Sequence, residues 1–216
     1  AYLNRGNALF DKKDFDRAVA DYGQAIAVDP KNLGAYYNRG NAYKNKGDYA
    51  KAITDYSAII TRDPNNLGAL FSRGRLALAT GDLQGALADL AHATSLAPKD
   101  AYAALWLDIA NKRGNRSSAL AEAAKQLDMT RWPAPAVRLY LGEITADAAL
   151  AAADNSDAAM KKRQLCDINF FIGELDLHAG KKDDATRHFR QATDGCPDYL
   201  ISYEGAKAEL KALGAL

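Results

Sequence analysis

The sequence is short of the residues on which most active sites depend. Three histidines and two cysteines occur in 216 residues. His92, His178 and His188 are scattered, and with Cys166 and Cys196 they match none of the short CxxC or HxxxH spacings of ordinary zinc modules. A nucleophilic cysteine needs an adjacent base, and no histidine is recognisably placed to serve. There is no glycine-rich phosphate loop, no Gly-x-Ser-x-Gly elbow and no His-Glu-x-x-His. The expectation is therefore no catalytic residue, no metal, no cofactor and no enzyme. An excess of one charge is missing too: 28 basic residues face 27 acidic ones, for a formal net charge of +1. A phosphate-backbone binder needs a basic stripe, so no nucleic-acid partner is expected. Long apolar runs are also missing. None approaches the ~18 residues of a transmembrane segment.

What the sequence does have is a period. Gly6, Gly40 and Gly74 recur at intervals of 34, as do Ala18, Ala52 and Ala86, and Pro30, Pro64 and Pro98. Between these marks lie two helical patterns per repeat. In the second repeat Tyr49, Ala52, Ile53, Tyr56, Ile59 and Ile60 form one apolar stripe at helical spacing. Small residues fall where two helices approach closely, and Pro falls where the second helix stops. First helices are expected over 1–12, 34–45 and 68–79, and their partners over 15–28, 49–61 and 83–96. Arg5, Arg39 and Arg73 occupy an otherwise apolar register, and Asp21, Asp55 and Asp89 follow each by sixteen residues. An antiparallel hairpin with its turn midway sets these positions opposite one another, which predicts three internal Arg–Asp pairs; the alternative is independent solvated charges.

A 34-residue helix-turn-helix with these Gly, Tyr, Ala and Pro positions resembles the tetratricopeptide repeat (TPR) family. The resemblance implies an all-α fold, a right-handed α-solenoid with a C-terminal capping helix, in one continuous array. Four repeats are expected over 1–127, the first truncated at its start, then an irregular short helical pair over 128–156, with Thr145 as an N-cap. A last repeat with a closing helix is expected over 157–216. The chain opens at the third position of a repeat and reads as an excised or processed piece. In TPR proteins the first helices line a concave face that receives a peptide or protein partner. Three rows lie there: Leu3, Tyr37 and Phe71; Asn7, Asn41 and Arg75; Asn4, Asn38 and Ser72. Apolar side chains beside amides suit a peptide, although the apolar row also fits a core role. The family's carboxylate clamp for acidic chaperone tails maps to Leu3, Asn7, Asn38, Gly68 and Ser72. Only the two Asn match, so that ligand is not expected.

The second half carries a further likeness. Ala104-Leu105-Trp106-Leu107, Val137-Arg138-Leu139-Tyr140-Leu141-Gly142-Glu143-Ile144, Asn169-Phe170-Phe171-Ile172-Gly173 and Tyr203-Glu204-Gly205-Ala206 resemble bacterial NlpI-type TPR lipoproteins. The resemblance implies a periplasmic, non-catalytic adaptor that forms a homodimer and brings cell-wall hydrolases to a protease. The lipid-bearing cysteine of that family is absent from this sequence. The rival expectation is a structural assembly module of a larger protein or enzyme. Cys166 and Cys196 lie about equally far from a turn near Gly180-Lys181, on facing helices, which predicts a disulfide and with it an oxidising compartment; the alternative is two buried thiols in a cytoplasmic array.

Overall fold

The structure, a computed structural model, describes residues 1–216: thirteen α-helices and no strand. They form two compact units, Ala1–Leu96 and Ala97–Leu216.

The first unit is three helix hairpins: α1 (Tyr2–Asp11) with α2 (Phe15–Val28), α3 (Leu33–Lys46) with α4 (Tyr49–Arg62), and α5 (Leu67–Thr80) with α6 (Leu83–Leu96). Each hairpin packs on the next, α2 on α3 and α4 on α5, which is the stacking of an α-solenoid. The boundaries have local causes. Asn32 and Asn66 accept from the backbone N–H of Ala35 and Ala69, both at 3.1 Å, and so cap α3 and α5. Asp14 accepts from the Arg17 backbone at the start of α2. Asp48 stands at the equivalent position of α4 without a capping bond. Gly47, with φ +83°, closes α3 in the left-handed conformation. Ala18, Ala52 and Ala86 are fully buried. Around Ala52 gather Tyr56, Ile59, Ala69 and Leu76, all buried, so the core is a seam that runs from one hairpin into the next.

The second unit holds α7 (Ala101–Arg113), α8 (Leu120–Ala124), α9 (Ala134–Tyr140), α10 (Ala146–Ala151), α11 (Ala158–His178), α12 (Lys182–Gln191) and α13 (Ile201–Ala212). Here the repeat plan loosens. The partner of α7 shrinks to the five residues of α8, because Asn115 takes φ +49° and Ser118 Oγ holds the Leu120 N–H, local bonds that compete with helix. Thr145 caps α10 through the Ala148 N–H. The regular hairpin returns in α11 and α12, with α13 packed on both as a closing helix. The Trp106 ring stacks on Phe170 at 5.1 Å, and Phe170 lies 6.2 Å from Phe189.

Candidate functional site

The first helices of the first unit carry the amide rows. Tyr22, on α2, donates its hydroxyl to Asn7 Oδ1 at 2.9 Å, and Asn38 Nδ2 donates to the same oxygen at 2.9 Å. Tyr56 donates to Asn41 Oδ1 at 2.7 Å. Burial, and then the nearby Asp11 carboxylate, push the Tyr22 phenol up to about 12, so it remains a donor at neutral pH. These bonds orient the amides. The carbonyl oxygens of Asn7 and Asn41 are engaged, which turns their NH₂ groups outward, while Asn38 spends its NH₂ on Asn7 and retains its oxygen. Between them lies an open cleft of about 300 Å³, lined by Asn7, Phe10, Asp11, Tyr22, Asn38 and Asn41.

The other expected groove residues are less open. Leu3 packs half-buried against Ala18, Tyr22 and Ala42. Tyr37 is half-buried, its ring 5.7 Å from Tyr56 and its hydroxyl 3.3 Å from Ser72 Oγ on the neighbouring hairpin. Phe71 is half-buried beneath the Arg75 guanidinium, 5.5 Å away. Arg75 itself is only 9 % exposed, so the expectation of an open groove group at this position is corrected: a long cation beside a ring buries its stem on it. Asn4 is exposed.

The three arginines meet their aspartates with two bonds each. Arg5 Nε and Nη2 both reach Asp21 at 2.6 Å, Arg39 reaches Asp55 at 2.9 and 2.7 Å, and Arg73 reaches Asp89 at 2.7 and 2.8 Å. All three aspartates are buried. Arg73 also donates Nη1 to Ser57 Oγ on α4, at 2.9 Å, which links its hairpin to the one before. The hydrogen bond to Asp55 holds the Arg39 guanidinium above its ordinary pKa against the cost of burial. These pairs fix helices to one another and perform no chemistry.

In the second unit Cys166 and Cys196 are joined as a disulfide, with Cα atoms 6.0 Å apart. No group of three or more His, Cys, Asp or Glu side chains is arranged to hold a metal ion. Two buried carboxylate centres there have no counterpart in the sequence expectations. Asp167 accepts from Tyr102 Oη (2.6 Å), Trp132 Nε1 (3.0 Å) and Ser202 Oγ (2.5 Å), and so ties α7, the segment before α9, α11 and α13 together. Arg113 Nη2 donates to both oxygens of Glu174, at 2.7 and 2.8 Å, and to Glu209 Oε1 at 2.6 Å. Burial pushes the Glu174 carboxyl up, to about 7, with Arg113 opposing and Glu209 reinforcing the rise. These partners are 61 and 96 residues apart along the chain, so no period in the sequence signals them.

Family models described as TPR repeat match residues 6–47, and models described as tetratricopeptide repeat match 34–66 and 67–100. Among solved structures, the chain is similar to a tetratricopeptide repeat protein from Parabacteroides merdae, with a TM-score of 0.61 and 20 % identity over 97 % of this chain and 83 % of that one. It is also similar to YrrB, a TPR protein with an unusual peptide-binding site (TM-score 0.54, 20 % identity, 95 % and 90 % covered). A third likeness is to the MamA protein (TM-score 0.54, 19 % identity, 100 % and 94 % covered). At these identities the likeness is one of fold.

Proposed function

We propose, from the premise that residues 6–100 are tetratricopeptide repeats, that this protein is a non-catalytic adaptor whose first unit holds an extended peptide of a partner protein. One observation carries this: the fixed orientation of three amides beside an open cleft. Asn7 and Asn41 offer N–H groups to main-chain carbonyls, and Asn38, in the adjoining row and bonded to Asn7, offers an oxygen to a main-chain N–H. An extended backbone has both kinds of group to satisfy along its length. Phe10 and the half-buried rings of Tyr37 and Phe71 give its side chains apolar contact. Such a site grips main chain and leaves partner choice to side-chain fit. The peptide-binding site of YrrB, on a similar fold, is in keeping with this use.

The test is selection of displayed peptides on the whole chain, followed by titration of the winners against variants. Asn7→Ala and Asn41→Ala should each weaken binding by about 1 kcal/mol, roughly five- to ten-fold, with helicity unchanged. Tyr37→Ala and Phe71→Ala should weaken it in the same direction. Peptides that bind all four variants as tightly as wild type would remove this face from the proposal.

The cell envelope is the compartment we assign to the adaptor. The support is the Cys166–Cys196 pair together with the likeness of the second half to NlpI-type lipoproteins, whose partners are a periplasmic protease and cell-wall hydrolases. Alkylation and mass spectrometry of unreduced protein decide it. A single species two hydrogens lighter than the dithiol is expected, and two alkylated thiols after purification without reductant would count against the compartment.

A further inference from the structure

A second cavity, of about 250 Å³, lies wholly within the second unit and plays no part in the adaptor function proposed for the first. The last turn of α7 supplies Lys112 and Arg113, α11 supplies Glu174, Leu177 and His178, and the ring of Tyr140 forms a wall. Tyr140 is fixed there, because its hydroxyl donates to the Phe171 backbone oxygen at 3.0 Å.

The arrangement of charge in it is layered. Asp108, 1 % exposed, makes no hydrogen bond through either oxygen, and its ionic partner is Lys112 Nζ at 3.3 Å. Glu174, its side chain 4 % exposed, has both oxygens on Arg113 Nη2. The cations are in front of the acids: the side chains of Lys112 and Arg113 keep 23 % and 26 % of their surface. All three carboxylate contacts of Arg113 use Nη2, which leaves Nε and Nη1 clear of them. A molecule in the cavity therefore meets two positively charged donors, with Glu174 in the wall held on Arg113 and Asp108 and Glu209 outside the lining. Buried carboxylates that hold a lysine and an arginine in one place remove the entropy those long side chains would lose on binding an anion.

We propose that this cavity binds a molecule that ends in a carboxylate on a short apolar stem, the carboxylate bridging Lys112 Nζ and the free edge of Arg113. Ile109, Leu177 and the Tyr140 ring take the stem. The volume is below the ~300–1,000 Å³ of sites for drug-sized ligands, so it suits one terminal group rather than a whole cofactor. A single negative charge is preferred to a phosphate dianion. Asp108 and Glu209 already offset the two cations, Glu174 is held partly neutral by its burial, and α7 and α11 both end at this cavity, presenting the negative ends of their dipoles. The carboxylate has two sources, a free short-chain acid or the C-terminal residue of a peptide.

Thermal unfolding of the whole chain reads the site, because both tryptophans, Trp106 and Trp132, lie in the second unit and their fluorescence reports on it. Butyrate, and N-acetyl-glycyl-leucine with a free C-terminus, are added at concentrations on the order of 10 mM, above a millimolar Kd. The melting temperature should rise with at least one of them. A response to butyrate alone assigns the free acid, and a response to the peptide acid but not its C-terminal amide assigns a peptide terminus. Phosphate and n-butylamine should give no shift. Lys112→Gln should weaken carboxylate binding about ten-fold, as loss of one charge-assisted bond does. Should that variant unfold, Leu177→Trp, which fills the cavity from its wall, should abolish the response. No shift with either carboxylate, an equal or larger shift with phosphate or butylamine, or binding that survives in Leu177→Trp would each overturn the proposal.

Discussion

At Gly40 the helices α3 and α4 come so close that a Cβ would stand 2.9 Å from the ring of Tyr56, a side chain with no exposed surface. The ring cannot retreat, since its hydroxyl is bonded to Asn41 in the candidate groove. Gly40→Ala should therefore destabilise the first unit by about 1–3 kcal/mol, the usual cost of overpacking. Gly68, also helical, is a control: the nearest atoms to its added Cβ belong to Tyr37, at an ordinary 3.4 Å. Gly68→Ala should be neutral or slightly stabilising by denaturant titration. A loss of equal size at both positions would mean that close approach is not what Gly40 provides. The same crowding connects stability to function, because shifting Tyr56 also releases the amide of Asn41.

Between elements the questions are electrostatic. Arg39 and Asp55 join α3 to α4 through two charge-assisted bonds, with the aspartate buried and the arginine half-buried. Removing either partner should cost about 2 kcal/mol, above the ~0.2–1 of exposed pairs and below the 3–5 of fully buried ones. A double-mutant cycle with Arg39→Met and Asp55→Asn should return a coupling of at least ~1 kcal/mol, and additivity within error would disprove the pairing in solution. In the second unit, Arg113 holds α7 to α11 and α13 through Glu174 and Glu209. Burial lifts the Glu174 carboxyl from an ordinary value near 4.5 to about 7. The folded state thus holds a proton that the unfolded chain has already released. The stabilisation this gives is complete below about pH 4.5 and fades as pH rises through about 7. Tryptophan-detected unfolding should show the second unit losing stability between pH 5 and 7.5 relative to a Glu174→Gln variant, whose side chain stays neutral throughout. Parallel pH profiles for the two proteins would show that Glu174 ionises normally.

For the molecule as a whole, the division into two units makes the disulfide a local device. Cys166 and Cys196 lie thirty residues apart in the second unit and fasten the hairpin of α11 and α12. In the chain-entropy model, a closed loop of that length stabilises the fold by about 3–4 kcal/mol. Reduction should lower the tryptophan-detected transition accordingly and leave intact the first-unit packing built on Tyr22 and Tyr56. A common shift of both units on reduction would show that they unfold as one. The closing helix α13 gives the bond a further consequence, because it packs on both arms of the hairpin that the disulfide fastens.

The sequence by itself determined what repeats at short range. Helix hairpins, their turns and the opposition of Arg39 to Asp55 follow from spacings of 34 and 16 residues, because a helix of fixed rise turned back at its midpoint carries such positions to one level. The candidate groove was legible as rows of residue types: Asn7, Asn38 and Asn41 are neighbours because consecutive first helices are equivalent. Which amide atom faces outward was not legible, since the hydroxyls of Tyr22 and Tyr56, fifteen residues away on the second helices, decide it. Nor was the burial of Arg75 against Phe71, where packing overrode the polar register. Only tertiary structure decided the second unit's centres. Arg113, Glu174 and Glu209, and Asp167 with Tyr102, Trp132 and Ser202, come from three different helices and one connecting segment at unrelated separations. Buried charges must find partners wherever the fold brings donors within reach, and that distance is a property of packing, which no linear spacing records.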